Sequence, residues 1–506
     1  MKRVLTLLFA LVLGVAAAQT YGGTLRVGMQ TDPVGLDPHV SNATATRNML
    51  ENTYDTLVMF NSSLEIVPGL AESWEASEDA LQWTFTIREA TWHDGQPVTA
   101  GDVKFSIERI KDPAIASPRA GNFAVVESIE TPDDRTVVMN LTEPFTPLLA
   151  YLAASLNVIV PQHVVEANGG SLQEVVVGSG PFRFVEYLPQ TRLVLEKYDG
   201  YWGVDDAGNQ LPYLDGILFT FYPDPTARTT AILTGDVDWI EYVPAVDVPA
   251  LQADPSVEVT GGLAANYRSV FFNAAVEPFT DHRVRQAFAY AIDKQQVVDL
   301  ALFGTGGVVA EGTTIPGGNF YAVDSTPYDE RNVARARELL AEAGYPDGFE
   351  FDLYITSTYD FLRDPAEIVQ SNLAEIGVTA NIVLEDWSIF LPNFLAKDYT
   401  AAISGTSGQT DPDMFLYTTF HSTSSGNYMN FANAELDELL TRGRQEPDPD
   451  ARRAIYLEAQ EIVLEQSPQV FLFHSAQYSA NRPNVEGYVH FPNTSYLSFR
   501  TTWLGN

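Results

Sequence analysis

LQWTFTIREATWHDGQPVTAGDVKFSIERI, residues 81–110, is the stretch from which the rest of the chain can be read. Leu81, Trp83, Phe85 and Ile87 alternate with Gln82, Thr84, Thr86 and Arg88, giving an extended segment one apolar and one polar side, as in a half-buried β-strand. His93-Asp94-Gly95 is a turn signal. Thr99 with Asp102 three residues later reads as a capping box, and Val103, Ile107 and Ile110 fall on one helical face. Strand, turn and capped helix form a mixed α/β scaffold unit. His93 beside Asp94 could be read as an acid–base pair. Turn polar groups usually satisfy their own backbone, however, and a base must be positioned against a substrate proton, so a structural role is expected.

A chain of 506 residues exceeds what one core normally supports, so two or three compact domains are expected. With 45% hydrophobic residues it falls among globular proteins. Lys2 and Arg3, the apolar run Val4–Val15 and Ala16-Ala17-Ala18 read as a secretory leader cut after Ala18, which implies an exported protein. The chain has no cysteine, which excludes lipid attachment through a cysteine, disulfides and thiolate metal sites. The net charge of −37 becomes −39 without Lys2 and Arg3, and so acidic a surface disfavours nucleic acid and anionic lipid as partners.

Outward from the opening stretch, Thr24–Met29 alternates as a strand and Thr44–Tyr54 reads as a helix. Val125–Leu141 reads as a hairpin turning at Thr131–Asp134. Gly178-Ser179-Gly180-Pro181 and Gly261-Gly262 punctuate the chain, the second marking a domain start. Asp281 caps a helix bearing Val284, Ala287, Phe288 and Ala291. Beyond it, helices and strands alternate through 332–396, which predicts α/β layers with largely parallel pairing. Pro449 opens a long helix to about Glu465.

Catalytic signatures are missing: there is no P-loop, HExxH, nucleophile elbow or GxGxxG after a strand. The histidines at 39, 93, 163, 282, 421, 474 and 490 show no metal-ligand spacing, so no metal and no cofactor are expected. A large exported α/β chain of this kind suggests a ligand receptor with an aromatic-walled cleft.

PGLAESW at 68–74, WHDGQPVTA at 92–100 with DVKFS at 102–106, GSGPFRF at 178–184, Phe272-Asn273, DHRVRQA at 281–287, AEAGY at 341–345 and DPD at 411–413 together resemble family 5 of the extracytoplasmic solute-binding proteins. These are receptors of ABC importers for peptides, nickel and some oligosaccharides. The resemblance spans the mature chain and implies a two-lobed periplasmic-binding-protein fold, α/β with mixed sheets, flanking helices and a hinge. Its expected parts are a signal peptide at 1–18, a hinge-side domain of lobe one from 19–52, 178–262 and 480–506, an extra subdomain at 53–177, and lobe two at 263–479. The implied function is a non-enzymatic periplasmic receptor, monomeric, that passes a solute to permease and ATPase subunits. A peptide is the first candidate solute, with an oligosaccharide or nickel complex as alternatives; an exported glycan or peptide hydrolase is the competing class.

By the same resemblance, Trp387 lines the cleft at a helix start, with a core role as its other reading. In the loop Gly405-Thr406-Ser407-Gly408, glycines stand where peptide receptors carry a Trp and the acid that holds the peptide α-amine. Gly405 and Gly408 are thus expected to open space for an uncharged or bulkier solute. Asp411 is either a substitute amine partner or a helix cap. Tyr242, Tyr267 and Tyr428 are further candidate wall residues.

Overall fold

The computed structural model describes residues 19–41, 43–317, 319–323, 325–407 and 409–505. The leader expected at 1–18 and Gly408 lie outside them, as does the side chain of Ser407.

Strand Gln82–Ile87 (β2) sits between Ala71–Ala76 (β1) and Thr136–Leu141 (β4), with Val126–Asp133 (β3) at the far edge of β4, in an antiparallel four-stranded sheet. Phe85 and Ile87 are buried, as the alternation requires. The hairpin turns at Asp134–Arg135 rather than at 131–134, because the β-branched run extends pairing as far as Asp133. Helix Ala100–Lys111 (α1) starts in the full capping box: Thr99 Oγ1 accepts from Asp102 N, and Asp102 Oδ2 accepts from Thr99 N. Val103, Ile107 and Ile110 enter a core shared with the sheet.

His93 is a tie between segments. Its Nδ1 accepts from Gly178 N at 3.2 Å and its Nε2 donates to Gly180 O at 2.9 Å, while Asp94 bonds His163 Nε2 instead. The tie needs glycine at its far end: a Cβ on Gly178 would lie 1.9 Å from the Thr53 carbonyl oxygen.

The second sheet has twelve strands. Its main path runs Thr379–Glu385, Glu350–Thr356, Ala401–Ser407, Asn266–Phe272, Gln469–Asn481, Trp239–Ile240, Thr24–Met29, Gly216–Phe221, Arg192–Lys197, Phe182–Leu188. Asn266–Phe272 (β5), Ala401–Ser407 (β6) and Gln469–Asn481 (β7) recur below. Pairing is parallel between 350–356 and its neighbours, as the alternation through 332–396 predicts, and between 24–29 and its neighbours, but antiparallel between β5 and both β6 and β7. Two lobes share this sheet through β7. One has a core drawn from residues 265–473; the other holds cores around 25–221 with 485–499, around 57–159, and around 231–257 with Ala480. Among the described residues no helix is long and apolar enough to cross a membrane.

Burial pushes the His93 imidazole down to about 4, outweighing its bond to Gly180. His93 is therefore neutral in the folded protein, and the unfolded chain takes up its proton first. Stability from this group is fully present above about pH 6.5 and is lost as the pH falls through about 4. Urea unfolding between these pH values should show a loss of up to about 3 kcal/mol from His93, which the His93→Gln variant lacks.

Candidate functional site

Alternation along β5 sorts its residues onto two faces. Tyr267 is fully buried, stacks against Phe271 at 6.4 Å and has its hydroxyl 3.4 Å from Thr419 Oγ1. Tyr267 is thus a core residue and not a cleft wall, which corrects the expectation for it. Tyr428 is partly buried: its ring packs on Phe394 at 5.2 Å and its carbonyl accepts from Tyr399 Oη.

Arg268 turns to the opposite face. Its Nη1 donates to the carbonyls of Tyr267 and Thr406 at 2.9 and 2.8 Å, and its Cζ lies 5.0 Å from the Phe361 ring centre. Arg268 stands opposite Gly405 of β6, where a Cβ would meet the Tyr267 carbonyl oxygen at 2.0 Å and Arg268 Cδ at 2.9 Å. The space left by Gly405 is therefore filled by the Arg268 side chain. The expected opening for an uncharged solute is replaced at Gly405 by a cation.

The same wall continues through Tyr359, 5.4 Å from Phe361 and 5.1 Å edge-on from Trp387. Trp387 opens the helix Trp387–Leu395 (α2) behind Asp386, whose carboxylate caps Ser388 N. It is half-buried, with one edge on Tyr359 and its face on Phe390.

Facing this wall from the other lobe are Glu241, Tyr242 and Arg47. Tyr242 has φ +47, a strained backbone for an aromatic residue, and its carbonyl accepts from Arg228 Nη2. Its phenol is raised by burial first, then by Glu241 and Tyr359, while Arg47 and Arg268 pull the other way. That set of neighbours, drawn from both lobes, places Tyr242 at their junction. Glu241 accepts from Gln30 N at 2.5 Å and Tyr496 Oη at 2.7 Å; Glu51 accepts from Ser495 Oγ at 2.9 Å and from Tyr496 N. Burial raises both carboxyls. Arg47 donates to Asn48 Oδ1 and to the hydroxyl and carbonyl of Thr494.

Near the end of β6 and just beyond it, Thr406 Oγ1 and Gln409 Oε1 are buried atoms with no hydrogen-bond partner among the described residues. Asp411 caps the helix Pro412–Phe420 (α3) and grips Arg452 with both oxygens, at 2.6 and 2.9 Å, so it is a cap and not an amine partner. Asp413, which sequence reasoning passed over, is fully buried; it accepts from Tyr151 Oη at 2.8 Å and twice from Arg444 at 3.0 Å. Around it Thr146 bonds the carbonyls of Arg444 and Glu446, Gln445 bonds Glu143, and Met414 enters the core built around 57–159. These contacts fasten the segment 143–151 to the segment 413–446. Of the sequence candidates, the structure brings Trp387, Gly405, Thr406 and Tyr242 to one junction together with Arg268, Tyr359 and Glu241.

Residues 65–427 match the model of the bacterial extracellular solute-binding proteins, family 5 Middle, and the chain belongs to that family. The dipeptide-binding protein of Escherichia coli K12 is 29% identical over 96% of this chain and 97% of its own; heme-binding protein A of Haemophilus influenzae is 30% identical over 91% and 88%. The structure of the PBP AgaA from A. tumefacien R10 in complex with agropinic acid superposes with a TM-score of 0.88 at 33% identity, covering 96% of this chain and 99% of the other. The periplasmic binding protein DppA from Helicobacter pylori in complex with the peptide STSA gives 0.86 at 28%, covering 96% and 99%. The fold is the two-lobed α/β fold of these binding proteins.

Gly405→Ala should destabilise the protein by about 1–3 kcal/mol in chemical unfolding, because the added methyl runs into rigid strand backbone.

Proposed function

We propose that the protein is the extracytoplasmic receptor of an ABC importer, which takes a peptide or similarly sized polar solute between its lobes, closes on it and delivers it to permease and ATPase subunits. The observation that carries this reading is the meeting of polar and aromatic groups from two separately built lobes: Arg47, Glu241 and Tyr242 on one side, Arg268, Tyr359 and Trp387 on the other. Buried Thr406 Oγ1 and Gln409 Oε1 are polar atoms of the kind that a solute satisfies. Relatives that bind dipeptides, the peptide STSA and agropinic acid support a small polar solute.

On this reading a leader at 1–18 directs export, and no cysteine anchors the mature monomer to lipid. Residues 19–52, 178–262 and 480–506 form the hinge-side domain, 53–177 the extra subdomain, and 263–479 the second lobe. The separate cores support that division. Catalysis has no place in the cycle: the solute must bind the closed form more tightly than the open one, or closure gains nothing from it. The Tyr151–Asp413–Arg444 contact makes the closed form favourable away from the solute.

Thermal-shift screening of dipeptides, tripeptides and opine acids should find compounds that raise Tm, and X-ray scattering at saturation should show a smaller radius of gyration. An unchanged radius contradicts closure. Tyr151→Phe should leave the Tm of the solute-free protein unchanged yet weaken the same compounds about tenfold in calorimetry, the size of one hydrogen bond to a charged group.

A further inference from the structure

Tyr242 holds a backbone conformation that aromatic residues avoid. Its φ of +47 lies in the left-handed region, where a bulky side chain is strained unless the surrounding chain imposes the geometry. Here the neighbours impose it on both sides. Glu241 N donates to Gly28 O at 3.1 Å and Val243 N to Tyr478 O at 2.9 Å, while Arg228 donates to the carbonyls of Glu241 and Tyr242 at 2.9 and 3.0 Å. The Glu241 carboxylate is fixed as well, by Gln30 N and Tyr496 Oη. Backbone over-determined in this way is concentrated at ligand clamps and switch regions.

Tyr359 reaches the same junction from the other lobe. It lies between the strand Glu350–Thr356 and the short helix Asp360–Arg363, and its ring is held edge-on to Trp387 at 5.1 Å and at 5.4 Å from Phe361. Both tyrosines are half-buried. Burial, with Glu241 and Tyr359 adding to it, raises the Tyr242 phenol; burial, with Glu241 adding to it, raises Tyr359 to about 12, so both stay neutral at physiological pH. The hydroxyls of Tyr151, Tyr399 and Tyr496 are committed to Asp413, the Tyr428 carbonyl and Glu241. Among the described residues, neither the Tyr242 nor the Tyr359 hydroxyl has a hydrogen bond of its own.

We propose that Tyr242 and Tyr359 are a specificity-determining pair, one from each lobe, whose hydroxyls bond one uncharged amide or hydroxyl group of the solute between them. The inference rests on the receptor reading. A phenol donates and accepts without carrying charge, so the pair recognises a neutral polar group by its position. A solute that lacks the group leaves both hydroxyls without partners when the lobes close, and closure on it is disfavoured.

The test is a double-mutant cycle on the full mature chain. Dipeptides, tripeptides and opine acids that raise the Tm of the unaltered protein serve as probes, titrated by calorimetry into Tyr242→Phe, Tyr359→Phe and the double variant. Each single variant keeps its ring, should leave the Tm of the solute-free protein unchanged, and should weaken the tightest probe about tenfold. The double variant should weaken it by less than the product of the two single effects, because one group of the solute serves both hydroxyls. Independent, multiplicative effects overturn the proposal, as does a single variant that binds like the unaltered protein. A lowered Tm without solute also overturns it, since the hydroxyl then serves the fold. These results leave the receptor reading standing. A probe set in which no member raises the Tm of the unaltered protein overturns that reading, and the pair with it.

Discussion

One strand carries both halves of the molecule. Gln469–Asn481 pairs with β5 through Gln469–Phe473 and with Glu258–Leu263 through Ala476–Asn481, so a single run of backbone hydrogen bonds passes from one lobe to the other. Its first half is buried in the core around 265–473 and Ala480 in the core around 231–257. At the crossing, Gly261 has φ +141, and a Cβ there would lie 2.2 Å from the Gln477 carbonyl oxygen. Only glycine allows the chains so close. The two lobes are therefore joined in one continuous sheet at this strand.

Those walls follow an electrostatic rule. The surface is strongly acidic, yet the junction concentrates guanidinium groups, and each carboxylate near them has two or more donors of its own. A carboxylate satisfied within the protein stabilises the fold and recognises nothing further. Arg268 donates to the backbone carbonyls of Tyr267 and Thr406 and lies over the Phe361 ring. The Asp413 contact is the counterpart at the far edge, a charge network wholly internal to the closed arrangement.

Much of the fold was legible because local rules fixed it. The alternation from Leu81 to Ile87, the Thr99–Asp102 box and the caps at Asp281 and Asp411 are all determined within a few residues. The parts that escaped depend on partners far along the chain. His93 finds Gly178 and Gly180, and Asp94 finds His163, so neighbours in sequence do not act together. Gly405 looked like a vacancy because its filler, Arg268, is set opposite it only by strand register. One signal was available: an arginine amid a β-branched and aromatic strand marks a buried charge that needs a reason. Tyr267 was misplaced because aromatic residues of core and cleft wall have the same local pattern.

The central claim is that the lobes close on a small polar solute. Native mass spectrometry of the mature protein, released from its compartment without denaturation, tests it most directly. The account predicts one equivalent of a small polar solute, freed chemically intact on unfolding. A solute recovered only as its cleavage products, or a protein that retains none and gains none from any screened compound, would contradict it.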